Sequence, residues 1–89
     1  MKLDVLAKER GYADSDVLKF NLAQEFSGLK LSGRKRLSGN SYFDHNVRIG
    51  AILIENKSEP GVVISGILQG VLKVCSEKEV LEKFGIEVL

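Results

Sequence analysis

His45 is the single histidine of the chain and stands directly after Asp44. A neutral imidazole is a common ligand for transition metals, so His45 is the first candidate for metal chemistry. One imidazole makes a weak site by itself, and the competing reading is a histidine at a helix start, hydrogen-bonded to its neighbours. Cys75 is the only cysteine; it has no partner for an internal disulfide and no local signature of a nucleophile or metal site, which leaves packing as its role. Gly66 and Gly70 lie four apart, but no Gly-Lys-Ser/Thr run and no Gly-x-Gly-x-x-Gly pattern accompanies them. Close helix packing is therefore the expected role of this pair, offsetting roughly 1 kcal/mol of helix propensity lost at each. Between Lys30 and Ser41, Arg34, Lys35 and Arg36 interleave with Ser32, Gly33, Ser38, Gly39 and Asn40, a basic, glycine-bearing loop.

The elements that must position these groups read as helices. Asp14 or Ser15 can cap a helix in which Leu18, Leu22, Phe26 and Leu29 form one apolar face. Asp44 can cap the next, with Val47, Ile49, Ile52 and Leu53 as its apolar contacts and an end near the turn-like stretch from Asn56 to Pro60. Gly61 to Cys75 is rich in valine and isoleucine and fits a strand or a buried helix by propensity; its length favours helix. Ser76 followed by Glu79 is a capping-box pattern, with Val80, Leu81 and Phe84 as the apolar face and Gly85 as the stop. The expected fold is all-α: one domain over residues 1–89, with four helices after a polar N-terminal segment that has room for a short helix of its own. The three helices after the basic loop are expected to pack on the Leu18/Leu22/Phe26 face.

Composition narrows the function classes. With 89 residues, 44% of them hydrophobic, the chain can build one modest core. Thirteen basic and 12 acidic residues leave a net charge of +1, which removes the general electrostatic argument for nucleic-acid or anionic-membrane binding. The longest apolar stretch, Gly61 to Leu72, is interrupted by Ser65, Gly66, Gln69 and Gly70 and falls short of the roughly 20 residues of a membrane span. One cysteine and no positive-then-apolar opening segment fit a reducing, cytoplasmic setting. The apolar end Ile86, Val88, Leu89 is the kind of tail that packs against something, as in a fragment of a longer protein; exposed, it favours self-association.

The run Arg36-Leu37-Ser38-Gly39-Asn40-Ser41-Tyr42-Phe43-Asp44-His45 resembles the segment that opens the HD-type hydrolase domain of the RelA/SpoT family, which makes and breaks guanosine tetraphosphate. There an Arg-x-Ser-Gly loop leads into Tyr-x-x-His. Without a gap, Val47, Ile49, Gly50, Ile52 and Leu53 then fall where the family carries small and apolar helix residues, and Gly66-Ile67-Leu68 where it carries Ala-Leu-Leu. The next two positions, His-Asp in the family, are Gln69 and Gly70, and the acidic pair downstream is replaced by Lys73 and Val74. The helix from Ser76 to Phe84 and the Phe84-Gly85 corner keep the family pattern, so the likeness runs from Arg36 to Leu89.

The resemblance implies that Arg36 and Ser38 stand at guanine-nucleotide-contacting positions, that Tyr42 is the aromatic between loop and metal site, and that His45 is the remaining metal ligand. In the active family that histidine binds manganese together with the His-Asp pair and a distant aspartate. Hydrolysis of a 3′-pyrophosphate needs a metal-activated water and compensation of charge on the phosphoryl group. Lys73 can supply positive charge but cannot lower the pKa of a bound water as a divalent ion does. The expectation is a catalytically degenerate HD-type domain with no cofactor, structural or regulatory beside a neighbouring synthetase domain or in a homo-oligomer. Two alternatives stand beside it. One is a manganese-dependent phosphohydrolase that rebuilds its site from His45, Asp44 and glutamates of a second chain; the other is a guanine-nucleotide sensor without chemistry that uses Arg36, Ser38 and Tyr42.

Overall fold

A serine cap sets where the helix bearing His45 begins. Ser41 takes an extended backbone, and its Oγ accepts a hydrogen bond from the Asp44 N–H at 3.3 Å. This makes Ser41, not Asp44, the cap of the helix Tyr42–Glu55 (α3); Asp44 sits in the first turn, where its charge faces the helix N-terminus. The computed structural model describes residues 2–35, 37–39, 41–71 and 77–84, and its other helices are α1 (Leu3–Glu9), α2 (Asp14–Lys30), α4 (Pro60–Ile67) and α5 (Glu77–Phe84). The all-α class holds: among the described residues the only β feature is an isolated antiparallel bridge between Lys35 and Ser41, which closes the basic loop.

α1 and α3 end in the same way. Tyr12 N–H reaches Ala7 O and Gly11 N–H reaches Lys8 O, with Gly11 at φ 86°. After α3, Ser58 N–H bonds Leu53 O and Lys57 N–H bonds Ile54 O, with Lys57 in the left-handed region at φ 54°. Both are the paired bonds that satisfy the last helix carbonyls. Pro60 then opens α4 at a position that needs no N–H. At the other end, the free N–H of Leu3 in α1 is met by Gln24 Oε1 of α2 at 3.1 Å.

α2 corrects the sequence reading. Of the expected face only Phe26 is buried; Leu18, Leu22 and Leu29 are exposed, and the core side of the helix carries Phe20, Ala23, Phe26 and Ser27. The cause is size. Ala23, Ser27 and Gly28 let neighbouring helices approach; a Cβ at Gly28 would lie 3.3 Å from the Phe43 ring of α3, an approach that leucines would block. The expected cap moves as well, to Ala13, which makes no side-chain cap bond, while Asp14 and Asp16 occupy the first turn.

In α3, Val47 is buried with Asn46, Gly50, Ala51 and Ile54; Ile49 and Leu53 are half-buried, and Ile52, expected inside, is exposed. Beside α3 lies α4, with Val63, Ile64 and Ile67 in the core. Helix is confirmed for this segment, but it stops at Ile67 instead of running toward Cys75, and Gly70 lies in the turn after it at φ 82°. In α5, Val80 and Phe84 are buried, and the Phe84 ring meets Phe26 edge-on at 5.4 Å. The expected cap Ser76 and stop Gly85 lie outside the described residues, as do Lys73, Val74 and Cys75.

Candidate site at the start of α3 and the turn after α4

Two glycines bring α3 and α4 together. A Cβ at Gly50 would lie 2.8 Å from Ile67 Cγ1 and 2.9 Å from Leu3 Cδ1, and one at Gly66 would lie 2.6 Å from Leu53 Cδ1 and 2.9 Å from Ile49 Cγ2. The packing role expected of Gly66 is therefore met, and Gly50 shares it. Gly70 does not: it stands beyond the helix, and a Cβ there would lie 3.2 Å from Tyr42 Cε1. The Tyr42 ring thus covers the turn at position 70.

Asn46, fully buried, ties the same two pieces from one turn further along α3. Its Nδ2 donates to Ile67 O at 3.0 Å and Gln69 O at 2.6 Å, with Ser27 Oγ of α2 at 3.4 Å. This orientation of the amide is required, because turning it over would set Oδ1 against two carbonyl oxygens. Oδ1 itself is buried and meets no hydrogen-bond partner among the described residues. So Tyr42 and Asn46, flanking His45 on the first two turns of α3, hold the 67–70 turn against the helix start. Asn46 escaped the sequence reading because one asparagine after histidine in an amphipathic helix looks like surface; the periodicity does place it one position before the buried Val47, on the edge of the inward face.

The candidate residues are placed as follows. Tyr42 and His45 share the first turn of α3, both half-buried; the Tyr42 N–H bonds Arg34 O at 3.1 Å and the His45 N–H bonds Ser41 O at 3.1 Å. Ser38 is exposed in the basic loop, and Arg36 lies outside the described residues. Gln69 is exposed.

No family model, curated protein or solved structure matches this chain.

A manganese ion of the kind the resemblance implies needs several nitrogen and oxygen donors around one point. Among the described residues no three histidine, cysteine, aspartate or glutamate side chains come together in that way. Position 69 carries an exposed amide side chain and position 70 none, in a turn whose carbonyls are taken up by Asn46. The described residues do not fit the ion. What the arrangement does is mechanical: it fixes the α4 exit against the α3 entrance with two hydrogen bonds and one aromatic ring.

Proposed function

We propose that this chain is a catalytically degenerate HD-type module, resembling the guanosine-tetraphosphate hydrolase domain of RelA/SpoT proteins, that acts as a structural or regulatory partner to a synthetase domain. The observation that carries the reading is Gly70. The sequence resemblance puts an aspartate ligand at this position; here it is a left-handed glycine with the Tyr42 ring over it. Left-handed backbone costs an ordinary residue roughly 1–2 kcal/mol, and a side chain would also have to displace the ring. The site has thus replaced a ligand by a packing contact, and the neighbouring position 69 offers its backbone carbonyl to Asn46.

The proposal is tested by metal content. After incubation with excess manganese or zinc and desalting, the protein is expected to retain far less than one ion per chain. One tightly held ion per chain, lost in His45→Ala, would favour the phosphohydrolase reading and sink this one.

A further inference from the structure

α2 is apolar on two opposite sides. One side, with Phe20, Ala23 and Ser27, is buried; the other shows Leu18, Leu22 and Leu29 at 58%, 42% and 79% exposure. Together with Glu25, these residues follow spacings of four, three and four, the rhythm of a helix–helix seam. A 17-residue helix presents that seam over about 25 Å.

The charges in and beside the seam are ordered around Leu22. Lys19 precedes it by three positions and Glu25 follows it by three, both exposed. Further out, the first turn is acidic, with Asp14 and Asp16, and the last turn is basic, with Lys30, which also pairs with Glu79 at 3.1 Å. A two-fold axis through Leu22 that sets two α2 helices antiparallel therefore places each Lys19 against the Glu25 of the other copy. The same operation brings Leu22 onto Leu22 and each Leu18 within one turn of the other copy's Leu29. A parallel pair would oppose lysine to lysine and glutamate to glutamate.

We infer that the exposed α2 stripe is an interface for a second copy of this chain, packed antiparallel through Leu18, Leu22 and Leu29. The interface is isologous, so the same patch serves both copies and the assembly closes at two. It is independent of the Tyr42/Gly70 turn.

Sedimentation velocity of the full chain, from micromolar to near-millimolar concentration, tests this. The expected result is a monomer–dimer equilibrium that Leu22→Glu weakens roughly tenfold or more. Lys19→Glu and Glu25→Lys should each weaken self-association, the double variant K19E/E25K should restore it, and an equimolar mixture of the two single variants should form a heterodimer. All three positions are solvent-exposed, and far-UV circular dichroism checks that each variant keeps its helices; the charge variants carry the test if Leu22→Glu does not fold. A monomer at every concentration, a dimer indifferent to Leu22→Glu, or a charge exchange that fails to restore pairing would each overturn the inference.

Discussion

Asn46 spends both of its N–H groups on the carbonyls of Ile67 and Gln69, so truncating it leaves buried acceptors unmet. Asn46→Ala is expected to cost about 1–3 kcal/mol in chemical denaturation, with part of that range recovered because the unpaired Oδ1 is removed as well. Tyr12 makes another long-range tie, its hydroxyl donating to Ser58 O at 2.6 Å while its ring meets Phe20 edge-on at 5.2 Å. Burial, and after it the charge of Asp16, raises the phenol above its ordinary pKa of 10.0. A group whose folded pKa is raised gives its stability in full below the unfolded value and loses it as pH climbs through the folded one. The contribution of Tyr12 should thus be present in full and independent of pH near neutrality, and be lost in alkaline solution above about pH 10. Tyr12→Phe should remove that alkaline component and cost about 0.5–1.5 kcal/mol at neutral pH, read from urea melts at a series of pH values.

At the scale of elements, the α3–α4 contact depends on the absence of two side chains. Gly50→Ala and Gly66→Ala each gain helix propensity but drive a methyl to within 3 Å of aliphatic neighbours. Overpacking of this kind costs about 1–3 kcal/mol, more than the roughly 1 kcal/mol that alanine returns. Both variants should melt at lower temperature than the parent. Gly61 is the control: it lies in the first turn of α4 with nothing within 4 Å of a Cβ, so Gly61→Ala should raise the melting temperature by the equivalent of about 0.4–1 kcal/mol. If all three alanines act alike, close packing is not what those glycines serve.

For the molecule as a whole, helix identity was legible from local pattern, but helix orientation was not. A breaker such as Pro60 acts within a few residues and is read directly, whereas the caps of α2 and α3 lie one to three positions before the residues expected for them, Ala13 in place of Asp14 or Ser15 and Ser41 in place of Asp44. Which face of α2 turns inward depends on partners: Leu18, Leu22 and Leu29 lie outside, while the inward side sets Phe20 and Phe26 beside the small Ala23 and Ser27, and Gly28 leaves room for the Phe43 ring. The candidate site divides in the same way. Gln69 and Gly70 stand in the sequence where the proposed resemblance would place a ligand pair. The consequence, a left-handed turn under Tyr42 pinned by Asn46, needed coordinates, because it rests on a helix that ends at Ile67 where apolar periodicity continues to Val71.

On the proposed function, packing has taken the place of metal chemistry at positions 69 and 70. The most direct test is release of pyrophosphate from guanosine tetraphosphate by the purified chain in the presence of manganese. Release is expected to be no faster than in the protein-free control, with no difference between the parent and His45→Ala. Manganese-dependent release that disappears in His45→Ala would contradict the proposal.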